Sequence, residues 1–150
     1  MYIAKMNGDT IEQIDHYRIW FKNVPDDATL VRRGFKKVNK FLPHDRLTQK
    51  LEGTTPFVDG DFVTTVRVVS LTADEITANK ASSLSQIRSQ RNQLLSDTDW
   101  SQITDSTANK SAYAVYRTQL RDVPATIGDA DPRTWTDWPS LNLEGASAGG

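Results

Sequence analysis

The chain has no cysteine, which excludes disulfides, thiolate-held metals and cysteine catalysis together. No apolar run approaches the ~20 residues of a membrane-spanning helix. The stretch "MYIAKMNGDTIEQI" alternates too soon to hold the apolar core of a signal peptide. A surplus of one charge is also lacking: 18 Lys and Arg stand against 19 Asp and Glu, a formal net charge of −1. Such a balance provides no overall field to draw the chain to nucleic acid or to an anionic membrane. Neither G-x-G-x-x-G nor a Walker sequence is present to cradle a dinucleotide or a phosphate. The expectation is a soluble product of the cell interior, or one released when its cell lyses, without cofactor, membrane or nucleic-acid partner.

What is present reads as an α+β chain. Asn7-Gly8 sits between strand-like residues and suits a type I′ hairpin turn. Tyr17, Ile19 and Phe21 alternate with Arg18 and Trp20 as a short strand that Pro25 closes. "DDATLVRRGF" reads as a short helix, with Asp26 or Asp27 as N-cap and Gly34 at its end. "FKKVNKFLP" is an irregular or edge-strand pattern. From Leu47 to Leu71 a second hairpin turns at Asp59-Gly60, with Pro56 restricting the outgoing arm to an edge or a bulge. Val63–Val69 is expected to present an open strand edge. Apolar side chains on both faces of that arm predict that both are partly covered.

At Thr72 the period changes from two to near 3.6. Thr72-x-x-Glu75 spells a capping box, and Ile76, Leu84, Ile87 and Leu94 mark one stripe of a helix ending near Ser96. A second helix is written in "STANKSAYAVYRTQLRDV", and Pro124 is expected to end it. Two helices with a short connector predict an antiparallel hairpin. The remainder, ending in "GASAGG", has two tryptophans and no period, so an extended arm is expected. The expected organisation is a β-rich unit over residues 1–71, a helical hairpin over 72–124 and the arm over 125–150.

Chemistry is thinly signalled. His16 and His44 each neighbour an acid, Asp15 and Asp45, as half of a catalytic triad would, but solvated loop histidines are the plainer reading. "DTDW" pairs two carboxylates without the third acid and glycine of a cation loop, so local capping by Asp97, Thr98 and Asp99 is expected rather than a metal. "VRRGFKKVNK" places five basic residues around Phe35; a solvated or docking face explains it better than a nucleic-acid site on a chain of near-zero net charge. No catalytic, cofactor or metal residue is assigned, and an enzyme is not expected.

The four tryptophans are more informative, because only 37% of the chain is apolar and each indole can bury roughly 150–250 Å². Trp100, Trp135 and Trp138 lie near or beyond helix ends. Either the arm folds back and staples the hairpin with Trp135 and Trp138, or the rings insert into a partner, as aromatic anchors do at binding hot spots. Both readings stay open, for different tryptophans.

The stretches "RNQLLSDTDWSQITDS", "YAVYRTQLRDVP" and "WTDWPS" resemble the C-terminal region of the phage tail assembly chaperone proteins, also called tail fibre assembly proteins. The family pattern runs approximately R-x-x-R-N-x-L-L-x-x-T-D-W-T-x-L-x-D, then W-x-x-Y-R-x-x-L-R-D-[IV]-P, then a closing W-P. It falls here on Arg88, Arg91, Asn92, Leu94 and Leu95, then on Thr98, Asp99, Trp100 and Asp105. It continues on Tyr116, Arg117, Leu120, Arg121, Asp122 and Pro124, and closes on Trp138 and Pro139. Including an upstream stretch, the resemblance covers most of residues 26–140. Tyr113 stands where the family has tryptophan, the connector "DSTANKSAY" is shorter, and residues 1–25 and the tail match nothing.

The resemblance implies a non-catalytic phage protein, in the host cytoplasm during assembly, that binds a tail fibre or other tail protein and assists its folding or attachment. A part retained in the virion tail, with a possible oligomer there, is the alternative; a nucleic-acid module is the third reading. Trp100 is expected to lock the turn between helices. Arg88, Arg91, Arg117 and Arg121 are expected to pair with Asp99, Asp105 or Asp122, at about 0–1 kcal/mol per exposed pair. With Asn92, Leu95, Tyr113, Tyr116, Trp135 and Trp138 these form the expected hairpin-locking and partner-binding set.

Overall fold

Two short turns set the first strands. Asn7-Gly8 and Asp59-Gly60 place their glycines at φ +61° and +58° and close the hairpins β1 (Tyr2–Asn7) to β2 (Thr10–His16) and β4 (Gln49–Asp59) to β5 (Phe62–Ser70). In the computed structural model, which describes residues 1–143, these strands and β3 (Phe35–Asn39) form one five-stranded sheet in the order β2-β1-β3-β5-β4. Helices follow the sheet, giving a mixed α+β chain that divides between Leu71 and Thr72 into two compact units. The terminal "GASAGG", expected to be part of an extended arm, lies outside the described residues.

Three strand expectations are corrected in the first unit. Tyr17–Ile19 is a 3-10 turn, started by His16, whose Nδ1 accepts from the Arg18 amide at 3.4 Å. Tyr17 and Phe21 both enter the core while Ile19 stays 61% exposed, which a strand with all three on one face would not allow. Secondly, β3 is no edge: it pairs antiparallel with β1 and parallel with β5. Thirdly, the open edge expected over Val63–Val69 of β5 is narrowed: β4 pairs with one side of the strand, and β3 covers the other side at Phe62–Thr64 only. The outer strands are β2 and β4, and the β4 ladder shifts register between Gly53 and Phe57, where Pro56 has no N–H to donate.

The core of this unit is Ile3, Tyr17, Phe21, Leu30 and Phe35, with Trp20 packed against it. Leu30 comes from α1 (Asp27–Arg32), whose N-cap Asp26 accepts from the Thr29 amide at 2.7 Å. The basic run is largely engaged here. Lys37 pairs with Asp27 at 2.5 Å, Lys36 donates to the Gly60 carbonyl, and Arg33 lies 4.9 Å from the Phe21 ring centroid.

The second unit is helical. The Thr72 hydroxyl accepts from the Glu75 amide at 3.2 Å while the Glu75 carboxylate accepts from the Thr72 amide at 2.9 Å, starting α2 (Ala73–Asp97). α3 (Lys110–Ile127) begins at Asn109, whose side chain accepts from the Ala112 amide. Ile87 of α2 packs on Val123 and Ile127 of α3, while Leu95 lies beside Arg117, so the two helices run in opposite directions. Pro124, expected to end α3, sits inside it, and the helix continues to Ile127. A proline in a helix costs about 3 kcal/mol. Burying Val123 and Ile127 on either side of it contributes about 1.5–3 kcal/mol each, so packing carries the helix one turn further.

Candidate functional site

The end of α2 has carbonyl groups with no helical partner, and a positive charge there is favoured by the helix dipole. No basic residue lies in the last turn of α2 itself. α3 supplies it: Arg117, only 9% exposed, donates from Nη1 to the Leu95 carbonyl at 2.6 Å and to the Thr98 hydroxyl at 2.8 Å. Its Nη2 donates to Asp99 Oδ1 at 2.6 Å. The Ser101 hydroxyl, fully buried, donates to the Thr98 carbonyl at 2.6 Å and fixes the following 3-10 turn, Asp99–Gln102. One guanidinium thus holds α2, its exit turn and α3 together.

Trp100 lies beside this junction. It stands on the turn that Arg117 fixes, 51% exposed, with its ring edge-on to Tyr113 at 5.5 Å. Ile103, whose amide donates to the Trp100 carbonyl, is 54% exposed. The result is an exposed apolar pair on a hydrogen-bonded turn.

Of the arginines expected to pair between helices, Arg117 alone does so among the described residues. Arg91 donates to the side chain of its neighbour Asn92 from Nε and Nη2, at 3.2 and 2.9 Å. Arg88 and Arg121 are exposed and make no ion pair among the described residues. Tyr116 is half-buried on α3. Trp135 and Trp138 meet edge to face at 5.0 Å and pack on the Ile87, Val123 and Ile127 cluster.

The arm has a latch that the sequence reading missed. Asp131 accepts from the amide, Nε and Nη2 of Arg133, with Lys80 of α2 at 4.0 Å. These hydrogen bonds hold the Asp131 carboxyl down at about 2. Asp131 before Pro132 was the available signal, since Asp side chains bond amides two residues on.

The chemistry considered from sequence finds no assembled site. Asp15 accepts from the His16 backbone amide, and Asp45 from the Leu47 amide and the Thr48 hydroxyl, so neither acid orients its histidine. Asp97 accepts from Gln93 while Asp99 turns to Arg117. Among the described residues no group of three or more His, Asp or Glu is placed to hold a metal. No described helix is long and apolar enough to cross a membrane.

Residues 84–141 match the phage tail assembly chaperone protein family. The tail assembly chaperone match runs from the middle of α2 through the Arg117 junction and α3 to the arm, and contains the whole expected hairpin-locking and partner-binding set. It leaves the β-sheet unit outside. No curated protein and no solved structure matches the chain.

Proposed function

We propose that the chain is a tailed-phage assembly protein that binds a tail fibre or an adjacent tail protein through its helical unit and assists folding or attachment without catalysis. The observation that carries this reading is the coincidence of the tail assembly chaperone match with a hydrogen-bonded turn that exposes Trp100 and Ile103. Unassembled fibres expose apolar surface and strand edges that aggregate, and a bound protein covers them. A large ring held on a fixed base loses little conformational freedom on binding, which favours affinity. In this reading Arg117 positions the turn and Trp100 makes the contact, in the host cytoplasm during assembly. The residues 72–124 hairpin presents the turn, and the arm from residue 125 braces it.

The test is co-expression with the tail fibre of the same phage. Wild-type chain should keep the fibre soluble and co-purify with it, and Trp100→Ala should lose the fibre while keeping its own fold. If no tail protein co-purifies, the reading fails. Mass spectrometry of purified particles separates the two fates: absence of the chain marks a transient assistant, and a stoichiometric band a retained part.

A further inference from the structure

Two cavities adjoin between α3 and the arm, sharing Gln119, Ser140 and Asn142. Their linings differ in kind. The smaller, about 430 Å³, is bounded by Val115 and Tyr116, and Val115 is 60% exposed. The larger, about 620 Å³, is bounded by the indoles of Trp135 and Trp138 and by two acids, Asp122 of α3 and Asp137 of the arm. No lysine or arginine lines either cavity among the described residues, and neither acid makes an ion pair there. The nearby Arg133 is committed to Asp131.

We propose that this groove binds an extended segment of the tail-protein partner, with an arginine side chain in the Trp135–Trp138 half and an apolar side chain in the Val115–Tyr116 half. Charge complementarity selects the occupant. Two carboxylates beside two indoles, with no cation of the chain's own, suit a cationic side chain that has both charge and a flat apolar face. Arginine fits better than lysine, since its planar guanidinium stacks on an aromatic ring and forks its N–H groups to carboxylates. Gln119 and Ser140, between the halves, have the donors and acceptors that an extended backbone needs. In an extended chain, residues two apart share a face, so one short segment reaches both halves. The proposal rests on the functional reading above only for the identity of the protein that brings the segment.

The experiment uses the full chain, labelled so that each indole N–H is resolved by NMR, and two probes, N-acetyl-argininamide and its neutral isostere N-acetyl-citrullinamide. The arginine probe should move the Trp135 and Trp138 signals, leave Trp20 and Trp100 in place, and act less as salt is raised. The citrulline probe should have little effect. Asp122→Asn with Asp137→Asn should weaken the arginine probe roughly tenfold, the combined effect of two partly exposed charge pairs. Should that double variant unfold, each single variant and the salt series on wild type give the same reading. Absence of any movement, equal movement by citrulline, or undiminished binding in the variants overturns the site. Fibre capture that survives such a failure leaves the functional reading standing. Probe binding by a chain that captures no tail protein leaves the arginine site and removes its proposed partner.

Discussion

Arg117 shows how one side chain fixes a junction. Its burial is tolerable because three acceptors answer the guanidinium, one of them the helix-end carbonyl of Leu95, which also accepts from Thr98. Arg117→Met should destabilise the helical unit by about 2–3 kcal/mol in denaturant unfolding followed by circular dichroism, the loss of charged hydrogen bonds to buried acceptors. Asp99→Asn should cost under about 1 kcal/mol, because the Asp99 side chain is 67% exposed. Equal costs for the two would show that the ion pair, and not the carbonyl contact, matters. Asp131 gives a second residue-scale expectation. Its carboxyl titrates near 2 against an ordinary 3.8, so its contribution is full above about pH 4 and is lost as pH falls towards 2. Asp131→Asn should flatten that part of the thermal midpoint against pH. The sequence offered four candidate arginines; which one is buried depends on the rotation of α3 against α2, and no local pattern encodes that.

At the scale of the element, the legible pieces were those with their own local chemistry. Asn7-Gly8, Asp59-Gly60 and Thr72 with Glu75 each satisfy backbone groups within a few residues, so the words alone suffice. The place of β3 depends on distant partners, β1 and β5, on its two sides, which its local pattern does not encode. At Pro124 packing outranks the local preference of the ring, and the helix runs on. The structure sets the stop at Gly128, with φ 51° and ψ −124°, a conformation that side chains other than glycine disfavour. Gly128→Ala should therefore destabilise by about 1–3 kcal/mol although space for a methyl exists. Pro124→Ala should stabilise by about 1–2 kcal/mol, regaining a helix hydrogen bond less some unfolded-state entropy. Thermal unfolding of the pair reads both signs, and a destabilised Pro124→Ala would mean that the ring's own packing outweighs the missing bond.

Across the whole molecule, the aromatic surplus resolves into separate fates. Trp20 packs on the sheet core, Trp135 and Trp138 pack on the helical cluster, and Trp100 alone is more than half exposed. Folding and capture should accordingly separate by residue. Trp135→Ala removes a ring from a packed cluster and should cost about 2–3 kcal/mol of stability, less than a full core tryptophan because the ring is only partly buried. Trp100→Ala should leave unfolding within about 1 kcal/mol of wild type, since its ring leans mainly on Tyr113. The same substitution should weaken fibre capture by about 2 kcal/mol or more, roughly thirtyfold, as truncating a hot-spot anchor does. Acrylamide quenching supplies the link: one indole should be quenched freely in the isolated chain and shielded once the fibre is bound. A Trp100→Ala chain that captures the fibre as well as wild type would move the contact elsewhere, and the exposed ring would then have no role in binding.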